Sequence, residues 1–373
     1  MKYYLIAGEA SGDLHGSNLI RALHRQDENA EIRCWGGDRM EAAGATLVKH
    51  YRELSFMGFV EVVANLPTIF RNLSFCKKDI EAFEPDALIF IDFSGFNLRI
   101  ARWAREKGYR THYYISPQVW ASREGRVKKI KRDIDHMYVI LPFEKAFYEE
   151  KHGMPVHFVG HPLIDALQDR PAPDPIKFCK AHGLDPDKPI IALLPGSRAQ
   201  EVRKMLPVML SCVPRNTGYQ FVVAGAPSLE ADFYASYLRE GEARLVMDQT
   251  YALLQVAHAA LVTSGTATLE TALLGVPQVV CYKGSWISYQ IAKRLITLEY
   301  ISLVNLIMDR EVVTELIQTT LTPENLNREL QEILQGKGRE EQLRAYEVLR
   351  TKLGGEGASN KAAKLIVDFT KTS

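Results

Sequence analysis

The sequence lacks several features that mark particular classes of protein. Its 373 residues carry 46 Lys and Arg against 45 Asp and Glu, a formal net charge of +1. It therefore lacks the basic surplus with which a general nucleic-acid binder neutralises phosphates. No run of about 18 apolar residues is present, so we expect no membrane-spanning helix. The apolar stretch at the N-terminus is short for a signal peptide. We expect a cytoplasmic protein with no nucleic-acid partner.

Cysteine is scarce, and its spacing suggests no pairing. The five cysteines are scattered along the chain at Cys34, Cys76, Cys179, Cys212 and Cys281. They form no CxxC pair, and the ten histidines form no HExxH or HxH motif. A disulfide framework is therefore not expected, and neither is a metal site.

What the sequence does contain is a regular alternation of short apolar strands and amphipathic helices. The first half predicts strands at 3–7, 87–91, 111–115, 136–140 and 156–159, with helical spacing at 14–24 and 98–107. The second half predicts strands at 189–194, 220–224, 244–247, 259–263 and 278–282. This alternation is typical of parallel sheets with helices on both faces.

A proline-rich segment separates the two halves. Pro171, Pro173 and Pro175 cannot continue a helix or a central strand. We therefore predict an α/β chain with two Rossmann-like, doubly wound domains at 1–167 and 177–350, joined by a linker at 168–176 and followed by a helical tail at 351–373. Ligands of such sheets bind at the carboxyl ends of the strands, and facing domains bind them in the cleft between.

Two carboxylates follow strands of the first domain. The turn Gly8-Glu9-Ala10-Ser11-Gly12-Asp13 opens a helix but is not GxGxxG, and Glu9 would repel a pyrophosphate. It is either a plain turn capped by Ser11 or Asp13, or a site where Glu9 faces a sugar. Asp92 follows the strand 87–91 and is a candidate general base, since partial burial raises a carboxyl pKa. Its alternative role is to cap the next helix.

A loop and a basic run complete the first domain. The loop 116–121 is expected to be anchored by a packed Trp120. The run that contains Arg126 and Arg132 is either a solvated helix face or a phosphate contact.

The second domain carries two turns suited to a nucleotide diphosphate. In the first, Gly196, Ser197 and Arg198 follow a strand, and Arg198 beside free backbone N–H groups suits paired hydrogen bonds to phosphate. In the second, small residues let a phosphate approach a helix N-terminus; they are Ser264, Gly265 and Thr266. Glu270, further along that helix, is placed to accept hydrogen bonds from ribose hydroxyls or is a solvated carboxylate.

One segment combines apolar residues at helical spacing with basic neighbours. Its apolar members are Met57, Phe59, Val63, Leu66, Phe70 and Leu73, and Arg71, Lys77 and Lys78 lie alongside. This face either docks on a membrane or is buried against the sheet.

Taken together, these motifs resemble the lipid A disaccharide synthases, inverting glycosyltransferases of the GT-B fold. The resemblance is carried in order by AGEASGDLHG (7–16), FMGFVEV (56–62), IDFSGFN (91–97), YYISPQVWA (113–121), LPFEKAFY (141–148), FVGHPLID (158–165), LLPGSRAQEV (193–202), SGTATLE (264–270) and YISLVNL (300–306). The chain departs from the family pattern at Ser94-Gly95, where a Pro-Asp pair is usual, at Val304 in the usual SLPN segment, and at Ser122 in the usual WAW.

The resemblance implies a reaction and roles for the residues. UDP-2,3-diacylglucosamine would donate its sugar to the 6-hydroxyl of 2,3-diacylglucosamine 1-phosphate (lipid X), with inversion and release of UDP. Asp92 would be the base, with Glu9 assisting, and Arg198, Glu270, Asn305 and the 264–266 turn would hold UDP. Ser11 and the apolar segment would serve the acceptor side. No metal or cofactor is implied.

The resemblance also implies a peripheral enzyme on the inner face of the inner membrane. Its last helix would cross back to the first domain or exchange between subunits, which leaves a monomer and a homodimer open. Alternatives within the fold are a UDP-sugar 2-epimerase and the transferase that builds the lipid-linked peptidoglycan disaccharide. A non-catalytic nucleotide-sugar sensor is an alternative of another class.

Overall fold

Two parallel β-sheets, built from short buried strands, organise the chain. The structure is a computed structural model and describes residues 1–54, 66–121, 124–168, 170–239, 241–284 and 299–372. It divides into two units. Unit 1 comprises Met1–Asp169 and Leu353–Ser373, and unit 2 comprises Arg170–Lys352.

The sheet of unit 1 has seven strands among the described residues, in the order β3-β2-β1-β4-β5-β6-β7, with every neighbouring pair parallel. The strands are β1 (Lys2–Ala7), β2 (Glu31–Gly36), β3 (Thr46–His50), β4 (Ala87–Ile91), β5 (Thr111–Tyr114), β6 (His136–Val139) and β7 (His157–Phe158). The helices are α1 (Ala10–Gln26), α2 (Asp38–Ala42), α3 (Leu66–Phe83), α4 (Ser94–Glu106), α5 (Val127–Asp133), α6 (Pro142–Ala146) and α7 (Pro162–Gln168).

The sheet of unit 2 has six strands in the described ranges, in the order β10-β9-β8-β11-β12-β13, again all parallel. The strands are β8 (Ile190–Leu194), β9 (Gln220–Gly225), β10 (Arg244–Met247), β11 (Ala257–Thr263), β12 (Gln278–Tyr282) and β13 (Glu315–Ile317). The helices are α8 (Pro175–Ala181), α9 (Ala199–Leu210), α10 (Ala231–Ala235), α11 (Thr250–Val256), α12 (Thr266–Leu273), α13 (Leu303–Met308), α14 (Pro323–Leu334) and α15 (Lys337–Lys352).

The central strands are apolar throughout because helices cover both faces of each sheet. Every residue of β4 and β8 is buried. In β8, Ile191 and Leu193 join one hydrophobic cluster, while Ile190 and Leu194 join another on the opposite face. This alternation follows from the two-residue period of a strand. It leaves polar residues at the strand ends, where the candidate sites lie.

The last helix, α16 (Ala358–Lys371), belongs to unit 1 and packs on α1 of the same chain. Its N-terminus is capped from α7, since the Asp165 carboxylate accepts hydrogen bonds from the backbone N–H of Gly357 at 2.7 Å and of Ser359 at 3.0 Å. Arg25 on α1 also donates to the Asn360 side chain at 2.8 Å. In this chain the last helix therefore returns to the first unit, which is one of the arrangements that the sequence predicts.

The predicted α/β class with two doubly wound parallel sheets is confirmed. All ten predicted strands are present within one or two residues at their ends. The prediction omitted β2, β3 and β13. Two of these are edge strands, and the third carries Arg33, whose guanidinium pairs with Asp79 at 2.7 Å. Such strands do not present the continuous apolar run of a central strand.

Candidate active site

The carboxyl ends of three neighbouring strands of unit 1 bring the first candidate site together. In the sheet, Ala7 is paired with Ile91, and Ile91 is paired with Tyr114. The residues that follow these strands are therefore adjacent, and they include Gly8, Glu9 and Asp92. The chain reverses its winding direction between β1 and β4, and such a switch point is where open parallel sheets bind ligands.

The backbone at Asp92 is strained and held in place. Asp92 and the following Phe93 have φ values of +43° and +46°, a left-handed conformation that costs a non-glycine residue about 1–3 kcal/mol. The buried Asn97 side chain donates to the Asp92 carbonyl oxygen at 2.9 Å, and the Tyr113 hydroxyl donates to the same oxygen. Neither Asn97 nor Tyr113 stands out as a site residue in the sequence. Strain of this kind is typical of residues whose orientation serves a function.

The electrostatics around Asp92 suit a base that works near neutral pH. Burial, followed by the negative charge of Glu9, raises the pKa of Asp92 to about 6, and a hydrogen bond from the Phe93 backbone opposes this rise. A general base is most effective when its pKa lies near the working pH. Glu9 itself is exposed and forms the N-cap of α1 without a side-chain capping bond.

The alternative interpretation of the first turn, a cap by Ser11 or Asp13, is wrong for α1. Ser11 is exposed in the first turn of the helix. Asp13 is buried and accepts hydrogen bonds from the backbone N–H of Gly37 at 2.8 Å and of Met40 at 3.0 Å. It thus fixes the start of α2 instead, and Glu9 and Ser11 remain at the surface of the site.

The loop after β5 is anchored as the sequence predicts. Trp120 packs edge-on against Phe143, with ring centres 4.8 Å apart. The Ser116 hydroxyl lies 2.7 Å from the Tyr148 hydroxyl. Of the basic run, Arg132 pairs with Asp133 at 2.6 Å, while Arg126 donates to the Ser94 hydroxyl at 3.4 Å, close to Asp92 in sequence.

Unit 2 contains a cavity of about 420 Å³ at the carboxyl ends of β8 and β11. Seven of the predicted nucleotide-binding residues line it, namely Gly196, Ser197, Arg198, Ser264, Gly265, Thr266 and Glu270. A cavity of this size matches the usual volume of small-molecule sites. Gly196 and Glu270, which are 74 positions apart in sequence, therefore line the same cavity, because β8 and β11 are neighbouring parallel strands.

The first turn differs from the prediction in one respect. The backbone N–H groups of Ser197 and Arg198 are not free, since the Glu201 carboxylate accepts from them at 3.1 and 3.3 Å. Glu201 is the third residue of α9, and its carboxylate reaches back to the backbone that precedes the helix. The Arg198 guanidinium remains 74% exposed, with a loose 3.7 Å ion pair to Glu201. The anion-binding capacity of this turn therefore lies in the Arg198 side chain.

Among the described residues, the second turn presents a helix N-terminus without a side-chain cap. Gly265 is the N-cap of α12 and makes no side-chain capping bond. Beside it, the Thr263 side chain lines the cavity and is only 7% exposed, and its hydroxyl has no hydrogen-bond partner among the described residues. A buried hydroxyl without a partner is costly. This arrangement can hold an anion together with a polar group of a ligand.

Glu270 is held on the cavity wall by a residue that the sequence did not single out. The hydroxyl of Tyr251 on α11 donates to Glu270 Oε1 at 2.8 Å. Burial raises the pKa of Glu270, while this hydrogen bond and the positive charge of Arg170 lower it.

Asn305 does not line the cavity, contrary to the expected contact with UDP. It is fully buried, and its amide nitrogen donates to Val313 O at 2.8 Å and to Glu315 Oε1 at 2.9 Å. Glu315 also accepts from the Ile301 backbone at 2.9 Å, and Ile301 O accepts from the Ser264 hydroxyl at 3.0 Å. Asn305 is thus connected to the Ser264 turn indirectly, through Glu315 and Ile301.

The apolar segment lies partly outside the described residues, which exclude Met57, Phe59 and Val63. Leu66 begins α3. On that helix Phe70 is 65% exposed and Phe75 is 48% exposed, whereas Leu73, predicted on the same face, is buried in the core. Among the described residues, no helix has the length and apolar character needed to cross a membrane.

Solved structures of similar shape define the class of fold. A UDP-GlcNAc 2-epimerase from Neisseria meningitidis matches all of this chain and all of its own, with a TM-score of 0.63 and 14% identity. The glycotransferase of kitacinnamycin matches 98% of each chain, with a TM-score of 0.65 and 16% identity. The fold is thus the GT-B fold of glycosyltransferases and related epimerases, as predicted.

Sequence similarity then identifies the family. The model of the lipid-A-disaccharide synthetase family matches residues 3–369. The lipid-A-disaccharide synthase of Geobacter metallireducens is 41% identical over 98% of this chain and 96% of its own, and that of Coxiella burnetii is 38% identical over 97% and 96%. The chain belongs to the lipid-A-disaccharide synthetase family and is a glycosyltransferase of lipid A biosynthesis. The predicted family and enzyme class are confirmed.

Proposed function

We propose that the chain transfers 2,3-diacylglucosamine from UDP-2,3-diacylglucosamine to the 6-hydroxyl of 2,3-diacylglucosamine 1-phosphate, with inversion. The observation that carries the proposal is Asp92, a strained carboxylate at the end of β4 with its pKa raised to about 6. Inversion by a single displacement needs a base for the attacking hydroxyl, and this carboxylate meets that need.

The proposed step is one displacement. Asp92 takes the proton of the acceptor hydroxyl while the oxygen of that hydroxyl forms a bond to the anomeric carbon. The bond from that carbon to the diphosphate oxygen breaks, and its electron pair leaves with UDP. General-base catalysis of this kind contributes about 10²–10⁴ in rate. The negative charge of Glu9 raises the pKa of Asp92 and so makes Asp92 a stronger base.

The cavity of unit 2 is proposed to bind the nucleotide. Solved epimerases of this fold are described as bound to UDP-GlcNAc, and one as bound to UDP-GlcNAc and UDP. In this chain, the exposed Arg198 guanidinium and the uncapped N-terminus of α12 suit the diphosphate. Both stabilise the negative charge that develops on the leaving group. Glu270 is assigned to the ribose hydroxyls.

Peripheral attachment to the inner membrane is proposed to bring the enzyme to its acylated substrates. The support is the exposed pair Phe70 and Phe75 on α3, with the exposed basic residues Arg71 and Lys78 on the same helix. Aromatic and cationic side chains together favour an anionic lipid surface.

A direct assay tests the reaction. The purified chain is incubated with UDP-2,3-diacylglucosamine and its 1-phosphate acceptor, and the disaccharide 1-phosphate and UDP are measured. We expect product from the wild type and losses of at least 100-fold in Asp92→Asn and Arg198→Ala. Arg203→Ala, on the helix α9 that follows Arg198 but outside the cavity, is the matched control and should retain activity.

The same assay distinguishes the alternatives. Turnover of UDP-GlcNAc without acyl chains would indicate a 2-epimerase, and product with a lipid-linked muramyl acceptor would indicate the peptidoglycan transferase. UDP binding without any transfer would indicate a sensor. Each of these results would contradict the proposal.

A further inference from the structure

A three-residue arrangement beside the nucleotide cavity is not explained by the reaction itself. The hydroxyl of Tyr251 donates to Glu270 Oε1 at 2.8 Å. The guanidinium carbon of Arg170 lies 4.1 Å from the centre of the Tyr251 ring. Arg170 is the first residue of unit 2, and Tyr251 is on α11, so two separate parts of the chain converge on one carboxylate of α12.

We propose that Tyr251 is a positioning residue for recognition of the ribose, and that Arg170 holds its ring in place. The inference rests on the proposed binding of a uridine nucleotide in this cavity. Tyr251 occupies one oxygen of Glu270, which orients the carboxylate toward the cavity that Glu270 lines. An ionised carboxylate has about four acceptor positions, so it retains capacity for ribose hydroxyls.

The geometry explains why the carboxylate needs two supports. A glutamate side chain loses rotational freedom when it is fixed for binding, and a prior hydrogen bond removes that cost from the binding step. A cation stacked 4.1 Å from the centre of an aromatic ring restrains the ring in turn. Tyr251 is therefore fixed at its ring and donates from its hydroxyl.

Tyr251 and Arg170 also favour the ionised form of Glu270. Burial raises the pKa of Glu270, and the Tyr251 hydrogen bond and the Arg170 charge oppose this rise. The other charged groups that line the cavity are Arg198 and Glu201, which face each other at 3.7 Å. Only the ionised carboxylate accepts hydrogen bonds at both oxygens. Loss of the Tyr251 hydroxyl should therefore raise the pH below which ribose recognition fails.

The test compares nucleotides that differ only in the ribose. Binding of UDP, 2′-deoxy-UDP and 3′-deoxy-UDP to the full chain is measured by calorimetry from pH 5 to pH 8. The ratio of affinities cancels the titration of the diphosphate, which all three probes share. The variants are Tyr251→Phe, Glu270→Gln and the double variant. Tyr346→Phe is the matched control, since it also loses a hydroxyl donating to a side-chain oxygen in unit 2, at 2.9 Å, outside this cavity.

We expect the wild type and Tyr346→Phe to prefer UDP over at least one deoxy probe. Tyr251→Phe should lower that preference about three- to tenfold, the range for one hydrogen bond, and lose it at a higher pH than the wild type. Glu270→Gln should abolish the pH dependence, and the double variant should match Glu270→Gln alone, because both changes act through one carboxylate.

Two results would overturn the inference while leaving intact the proposed transfer reaction and the binding of UDP in this cavity. One is a Tyr251→Phe ratio and pH profile equal to those of the wild type, and the other is UDP binding by the wild type without any preference between the probes. Failure of the wild type to bind UDP at all would instead overturn the proposed function and the inference with it.

Discussion

The ring of Phe93 occupies the space that a side chain would need at Gly8. A Cβ atom added to Gly8 would lie 2.3 Å from Phe93 Cγ, well inside any permitted contact. Phe93 in turn follows Asp92, and both have left-handed backbone conformations. The absence of a side chain at Gly8 thus allows the strained turn that presents the proposed base.

This contact predicts the effect of one added methyl group. Gly8→Ala should displace Phe93, lower the turnover number by at least tenfold, and reduce the free energy of unfolding by about 1–3 kcal/mol, as for overpacking elsewhere. Gly95→Ala is the matched control, since its Cβ would meet no atom within 4 Å and it lies in α4. Turnover and chemical denaturation of both variants provide the check. Equal behaviour of the two variants would contradict the proposed contact.

Asp92 should reduce stability while serving catalysis. Its pKa rises from 3.8 to about 6 on folding, so the folded state binds the proton more tightly. Stability therefore falls as pH rises from about 4 to about 6, and the loss at neutral pH is about 2–3 kcal/mol. Asp92→Asn should be more stable than the wild type by about that amount at pH 7, although it is inactive.

Chemical denaturation at two pH values tests this prediction. The difference between Asp92→Asn and the wild type should disappear well below the unfolded-state pKa of 3.8, where the wild-type carboxyl is protonated in both states. Asp232→Asn, an exposed residue of unit 2, should change stability little at either pH. A gain in Asp92→Asn that persists at low pH would have another cause.

Glu9 should set the acid limit of activity. Its negative charge contributes to the raised pKa of Asp92, so Glu9→Gln should lower that pKa. The acid limb of kcat/KM should then move to lower pH, because Asp92 must be ionised to accept a proton. The pH dependence of kcat/KM for the acceptor, measured at saturating donor, gives the shift. A limb that stays in place would show that a different group titrates.

The exposed aromatic pair on α3 should carry membrane binding. Replacing both Phe70 and Phe75 by Ser should reduce sedimentation with anionic vesicles by at least tenfold, while transfer between substrates dispersed in detergent is retained. Val348→Ser is the control, since Val348 is also 48% exposed but lies on α15 of unit 2. Unchanged vesicle binding in the double variant would place the membrane contact elsewhere.

The candidate site shows where sequence reasoning succeeds and where it ends. The positions of Asp92 and of the two nucleotide turns follow from the strands that precede them, because parallel strands end at one edge of the sheet. The hydrogen-bond partner that a side chain finds on another element of the fold cannot be predicted in this way. Glu201 occupies N–H groups that were expected to be free, Asn305 is turned to Glu315, and Tyr251 meets Glu270 from another helix.

The α/β class, ten of the thirteen strands among the described residues and the family follow from the sequence alone, because apolar runs and motifs are local and keep their order along the chain. Only the tertiary structure reveals the strands β2, β3 and β13, the return of α16 to α1, and the partners of each site carboxylate. Those depend on contacts between residues far apart in sequence, such as Asp165 with Gly357 and Gly8 with Phe93. No local pattern encodes such contacts, since they form only when the strands and helices of a unit pack together.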